Sequence, residues 1–219
     1  MQEESLKMKK YFTIFALGMM AMSTAAFAAT TATGTNTVAP TLQISATIQS
    51  AVQLTLSTGT AAVNHCAVTA GTGTDYAMSF GSVNALALGT PSCGSSFAPT
   101  NTTTAGAGNA IYWSDYTLTP LYTSQAASAN PTITAKVTAD FAAPKDLTVV
   151  RDSANSSTVP TGLTSFVAVG TATADTIASA VASGTALTRF IGVQVSPVNA
   201  TGIPTTVQTA TVTFTLTVN

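Results

Sequence analysis

The sequence predicts an all-β protein folded as a single β-sandwich, and three observations carry that expectation. Residues 29–219 contain 41 threonines and no glutamate. β-Branched threonine suits a pleated, half-exposed surface, whereas helix-rich domains lean on Glu, Lys and Arg, which also form i,i+4 pairs. Apolar residues recur with period two in several stretches, the pattern of strands with one face turned inward. Turn residues separate those stretches, and about eight strands in roughly 180 residues is the spacing of a sandwich.

The 219 residues are 46% hydrophobic and 7% charged, with a formal net charge of −1 and a mean hydropathy of +0.37. Such a chain buries a core. It is not a disordered solvating tail, which combines low hydrophobicity with high net charge. Seven Lys+Arg against eight Asp+Glu leave no basic footprint for nucleic acid and no acidic tail.

Lys7, Lys9 and Lys10 precede an apolar run from Tyr11 to Met22, and small residues follow, ending in Ala26-Phe27-Ala28. This is the layout of a bacterial secretory signal peptide. A run of about a dozen residues is short of the roughly 20 that cross a bilayer as a helix. Residues 1–28 are therefore expected to be removed on export, leaving no membrane span and a secreted or cell-surface protein. Beyond the leader the basic residues are Lys136, Lys145, Arg151 and Arg189, and every acid is an aspartate. Hydroxyls rather than charges must keep the outer surface wet.

Residues 29–40 are Thr, Ala, Gly and Asn without periodicity and read as a flexible arm. A sandwich domain is expected over 41–219, with an N-terminal extension strand at 41–49. Leu42, Ile44, Ala46, Ile48, Val52, Leu54 and Leu56 all fall on even positions. That alternation lasts about fifteen residues against a usual strand of about 5–6, so it is one long strand or two meeting near Ser50. Tyr76, Met78 and Phe80 alternate next. Residues 71–110 otherwise read as long irregular connections rich in Gly, Ser, Thr, Asn and Pro.

Tyr116 to Tyr122 reads as a strand in which Pro120 marks an edge, an end or a bulge. Ile133, Ala135, Val137, Ala139 and Phe141 alternate, and Leu147 and Val149 follow the turn signal Ala143-Pro144-Lys145-Asp146, an order that predicts a hairpin. Phe166 to Val169 is a short apolar run. Thr173 to Ser183 is alanine-rich, with Asp175 near its start and Gly184 just beyond, and reads as a short helix or a loop. Arg189, Ile191, Val193 and Val195 give one face of a further strand. The last is drawn by Val212, Phe214, Leu216 and Val218, which alternate with threonines.

Chemistry is sparse. The only cysteines, Cys66 and Cys93, form one disulfide in the simplest reading of an exported chain, since neither a CxxC motif nor a histidine cluster accompanies them. On the loop-entropy estimate the bridge is worth roughly 3 kcal/mol. The only histidine, His65, adjoins Cys66, but neighbouring residues on a strand point to opposite faces, a poor geometry for a nucleophile and its base. The six aspartates are scattered, with Asp140, Asp146 and Asp152 near turns and no calcium-loop spacing. Phosphate-binding glycine motifs and the GxSxG elbow do not occur. No enzyme activity, cofactor or metal is expected. Tyr112, Trp113 and Tyr116 form a local aromatic cluster that reads as core packing or as a sugar-stacking platform. Sequons at Asn101, Asn155 and Asn199 are expected by chance in so threonine-rich a chain.

A flexible arm leads into a long alternating strand, and another alternating strand closes the sequence. An exposed edge strand must be paired or covered, and pairing by another subunit is one solution. The leader, the alternation of Thr41 to Leu56, the two cysteines and the Thr211 to Val218 strand together resemble chaperone-usher pilins and the spore coat protein U family. The resemblance implies an immunoglobulin-like or pilin-like sandwich serving as the subunit of an extracellular filament or surface layer. It implies Leu42, Ile44, Ala46 and Ile48 as donor-strand plugs, and Val212, Phe214, Leu216 and Val218 as the acceptor edge. The partners it implies are copies of the chain, a periplasmic chaperone and an outer-membrane assembly protein. The alternative is a monomeric secreted adhesin or carbohydrate-binding module that uses Tyr112, Trp113 and Tyr116.

Overall fold

The computed structural model describes residues 45, 51–61, 64–71, 75–100, 109–123, 130–142, 147–196 and 207–218. The expected leader 1–28, the expected arm 29–40, the expected donor positions Leu42, Ile44, Ala46 and Ile48, and the expected turn 143–146 lie outside the described residues. Apart from Ser45, all described residues belong to one compact unit spanning 48–219.

That unit is all-β. Its strands are β1 (Val52–Thr58), β2 (Val68–Ala70), β3 (Tyr76–Met78), β4 (Ser95–Phe97), β5 (Ala110–Tyr122), β6 (Thr132–Ala139), β7 (Leu147–Asp152), β8 (Phe166–Ala168), β9 (Asp175–Ser179), β10 (Leu187–Val195) and β11 (Thr211–Thr217). One sheet runs β1-β5-β10-β7-β8, with β4 also paired to β5; the second runs β11-β6-β9; β2 and β3 form a separate ribbon. Every pairing is antiparallel.

Alternation places the core between the two sheets. Ile133, Ala135 and Val137 of β6 meet Tyr116 and Leu118 of β5, Val149 of β7 and Ile177 of β9, with Leu54, Leu56, Ile191 and Val193 packed against them. The outward positions of β11 and β6 carry Thr213, Thr215 and Thr217 beside Lys136, Thr134 and Thr132. Thr138 and Thr213 share a hydroxyl–hydroxyl hydrogen bond of 2.9 Å.

Strand β5 extends six residues upstream of its expected start at Tyr116. The reason is that it is buried on both faces, and such a strand reads as a continuous apolar run rather than an alternation. Of its even positions, Tyr116 and Leu118 face the second sheet, while Ala110 and Tyr112 pack with Val195 beneath Phe80, Val83, Ala85 and Ala87. Its odd positions, Ile111 and Trp113, join Val150, Phe166 and Phe190 in a separate cluster on the other side. Trp113 lies 5.6 Å from Phe190, 6.0 Å from Phe166 and 5.8 Å from Phe97 between ring centroids. Gly192 is directly opposite Trp113 in the β5–β10 register, and a Cβ there would strike the Tyr112 carbonyl and crowd the Trp113 side chain. Pro120 is fully buried, and its carbonyl accepts from Gly184 N at 2.7 Å, beyond the start of β10 at Leu187. It therefore marks the place where that ladder has ended, which is where a strand tolerates a missing N–H.

Two expectations are corrected. β6 pairs with β11 and β9, and β7 with β10 and β8, so the segment between Ala139 and Leu147 crosses between sheets instead of closing a hairpin. Two strands facing one core share the same parity whether they lie side by side or across it. The alanine-rich 173–183 segment is neither helix nor simple loop but contains β9. A register shift opposite Ile133/Thr134 accompanies the burial of both Ile177 and Ala178. Asp175 is no helix cap; its carboxylate accepts from Gly170 N at 2.9 Å and from Arg151 Nε at 3.1 Å.

These contacts bind β9 to β7 and stitch one side of the sandwich. Val137 N donates to Gly170 O, Arg189 Nε to Ile177 O, and Arg151 Nη1 to Asn155 Oδ1. Burial pushes the Asp175 carboxyl up, but the Gly170 amide and the Arg151 guanidinium outweigh it and hold the group below its ordinary 3.8. A carboxyl so depressed stabilises the fold above its unfolded value, and that contribution is lost as pH falls through the folded one. Acid titration of the unfolding midpoint should show this loss, and Asp175→Asn should flatten the profile below about pH 4. Gly192→Ala should destabilise by about 1–3 kcal/mol through overpacking, read in urea by the fluorescence of Trp113.

Candidate functional site

The two sides of the sandwich are finished differently. On the side of β8 and β9 the chain passes from one sheet to the other through 169–174, and the bonds just described lace the sheets together. On the opposite side the outermost strands are β1 and β11, which approach one another. Among the described residues β11 pairs on one side only, with β6.

The acceptor residues expected from the sequence lie here. Val212, Phe214 and Leu216 are half-buried and pack on the core, and the Phe214 ring sits 5.4 Å from that of Tyr116 in the facing sheet. Val218 falls one residue beyond β11 and is half-buried. Leu54 and Leu56 approach the same core from β1. The outer edge of β1 is covered at one end, where Val68 N donates to Thr58 Oγ1 at 2.9 Å and the β2–β3 ribbon lays Val68 and Met78 on the core. Among the described residues β11 is therefore the more open of the two edges.

A second feature occupies a break along β5. β1 ends opposite Tyr116 and β4 begins opposite Trp113 on the same edge, so Ser114 and Asp115 face a gap between them. The gap is filled by the segment leaving β1. Gly59 is buried against Asp115, where a Cβ would collide with the carboxylate. Asp115 itself is 0% exposed. Its Oδ2 accepts from Ala61 N at 2.6 Å, and its Oδ1 accepts from His65 Nδ1 at 2.6 Å. Cys66 N donates to Ser114 Oγ at 2.9 Å, and Gly94 N donates to Asn64 O. The expected disulfide is formed: Cys66 and Cys93 are bridged with 4.9 Å between their Cα atoms.

This Asp–His pair was not foreseen, because its members stand 50 residues apart and only the fold joins them. The one available hint is a lone acid inside an apolar aromatic run. Asp115 fixes the orientation of the imidazole, whose side chain is 27% exposed. The Ser114 hydroxyl accepts from Cys66 N and donates to the Asp115 carbonyl, and Cys66 is consumed in the disulfide. The pair ties the segment leaving β1 to β5 across the gap.

The aromatic platform is corrected. Tyr112, Trp113 and Tyr116 are 2%, 3% and 4% exposed, so none presents a ring face to a sugar. The Tyr112 hydroxyl accepts from Asn84 N, and burial raises the Tyr116 hydroxyl far above its ordinary value, against the opposing pull of Arg189 and Arg151. Asn155 is held by Arg151 and donates to Thr176 O at 3.2 Å, while Asn101 and Asn199 lie outside the described residues. No three His, Cys, Asp or Glu side chains among the described residues converge as a metal site. No helix among the described residues is long and apolar enough to cross a membrane.

No family model matches the chain, and no curated protein or solved structure matches it either.

Replacing His65 by Ala should leave the buried Asp115 carboxylate short of a donor and lower stability by about 1–3 kcal/mol. Urea unfolding of His65→Ala beside the wild type measures this; an unchanged midpoint would show that the pair does not hold the gap closed.

Proposed function

We propose that the protein is a pilin-like structural subunit of an extracellular filament or surface layer, joined to its neighbours by β-strand donation. One observation carries the reading: the sandwich is laced together on the side of β8 and β9, while on the other side, among the described residues, β11 pairs only with β6 and sets a row of half-buried apolar side chains on the core. A strand edge with an apolar row beneath it is completed by a strand that brings backbone hydrogen bonds and alternate apolar side chains. Leu42, Ile44, Ala46 and Ile48 have that alternation. Donation from one copy into the β11 edge of the next is a head-to-tail contact, and repetition without closure makes a fibre.

The leader routes the chain out of the cytoplasm, and the disulfide suits an oxidising compartment. Before assembly the β11 edge needs a temporary cover, a role for a periplasmic chaperone, and an outer-membrane assembly protein would pass subunits outward. The charge-poor surface gives subunits no strong mutual repulsion.

Deleting Thr41 to Ile48 should yield folded monomers that no longer polymerise, as seen by size exclusion and negative-stain electron microscopy beside the full chain. Normal polymers from the deletion variant would refute strand donation.

A further inference from the structure

We infer that the outer edge of β9 is closed against strand addition, with Asn155 and Arg189 as the closing residues, so that β11 is the edge of that sheet left for a second copy of this chain. The inference deepens the strand-donation reading above and rests on it for the purpose of the closure. β9 and β11 are the two outer strands of one three-stranded sheet, and an open edge strand is a template for pairing with another chain. A filament built from head-to-tail contacts needs one such edge open and the other refused.

Three features refuse β9, all of them within residues 147–196, every one of which is described. The strand is short, with five residues, and the next residue, Ala180, takes a left-handed φ of 52° that ends it. It is bulged. Thr176 stands opposite Thr134 and Ala178 opposite Ile133, which leaves Ile177 as an extra residue that interrupts the ladder. Its carbonyls are also occupied: Asn155 Nδ2 donates to Thr176 O at 3.2 Å, and Arg189 Nε donates to Ile177 O at 2.9 Å. Both donors come from outside the sheet, Arg189 from β10 and Asn155 from the turn after β7. A strand arriving at β9 would offer backbone N–H groups to carbonyls already bonded to side chains.

Asn155 is held in place for this contact. Its φ is 49°, in the left-handed region that asparagine tolerates better than most residues. The turn is fixed on both sides of it, since Ala154 N and Ser156 N donate to the Asp152 carboxylate. Arg151 Nη1 donates to Asn155 Oδ1 at 3.0 Å, which leaves the amide nitrogen to β9. β11 is finished otherwise. It has seven residues, its register shift falls at its start between Thr211 and Val212, and its side-chain bond to β6 joins the Thr213 and Thr138 hydroxyls.

The test uses Asn155→Gly, which suits the left-handed backbone and removes the amide, together with Arg189→Met, which keeps an apolar stem and removes the guanidinium. Both changes are made in the full chain and in the chain lacking Thr41 to Ile48, which has no donor segment. In the shortened chain the double variant should show a doubled mass by size exclusion at concentrations where its parent is monomeric, as two β9 edges pair. In the full chain it should give branched or laterally joined filaments by negative-stain electron microscopy. Self-association of either kind supports the closure; its absence from both chains would overturn the closure and leave strand donation standing. A full chain that stays monomeric would overturn strand donation, and the shortened chains would still decide the closure. If the double variant has lost its cooperative urea transition, Asn155→Gly alone decides by the same two readings.

Discussion

Burial of β5 on both faces is the constraint from which the rest of the architecture follows. A strand between two apolar layers must send alternate side chains into each, and β5 does so with Tyr116 and Leu118 on one side and Ile111 and Trp113 on the other. Its neighbours then have to accommodate it. Gly192 leaves room for Trp113 across the β10 ladder, and Gly59 leaves room for Asp115 at the gap between β1 and β4. Asp115 is a fully buried acid in the middle of β5, a costly placement offset by hydrogen bonds that include those from Ala61 N and His65 Nδ1, and those groups arrive on a segment that the disulfide anchors beside β4. Trp113 remains the exception, since its buried indole N–H has no hydrogen-bond partner among the described residues.

Strands with one wet face were legible from sequence. Leu54 and Leu56 of β1, Ile133, Ala135 and Val137 of β6, and Val212, Phe214 and Leu216 of β11 point to the core as their alternation implies. The disulfide was legible too, from an even cysteine count in a chain whose sequence predicts export. Where side-chain parity is uninformative, the reading ran out. β5 lacks alternation because neither face is wet; β9 is masked by alanines that suit a helix as well as a strand; and parity could not tell whether β6 and β7 are neighbours in one sheet or partners across the core. At the candidate site, the apolar row of β11 could be read along the chain, whereas the Asp115–His65 pair could not, since it depends on two segments meeting in space.

The different finish of the two sides is a matter of where polar groups are placed. Arg151 and Arg189, two of the few cations in the chain, are both spent on the β9 side, one on Asp175 and the other on the Ile177 carbonyl. Burial lowers the affinity of the Arg189 guanidinium for its proton, against the opposing influence of Tyr116 and Asp152, so its half-buried position is held at some cost in solvation. No comparable ties join β1 to β11 among the described residues. Among the described residues that side is joined by apolar packing, which is non-directional.

The threonine face of β11 and β6 has a consequence for the media in which the protein can work. Ionic strength acts on proteins mainly by screening charges, with a Debye length near 10 Å at about 0.1 M salt. A face made of Thr132, Thr134, Thr213, Thr215 and Thr217 around the single cation Lys136 offers almost nothing to screen. Its hydration comes from hydroxyl dipoles that bind water in dilute and saline surroundings alike. An exterior built this way keeps the same wetting and the same weak self-repulsion from fresh water to brine, a form of constancy that a charged coat does not provide.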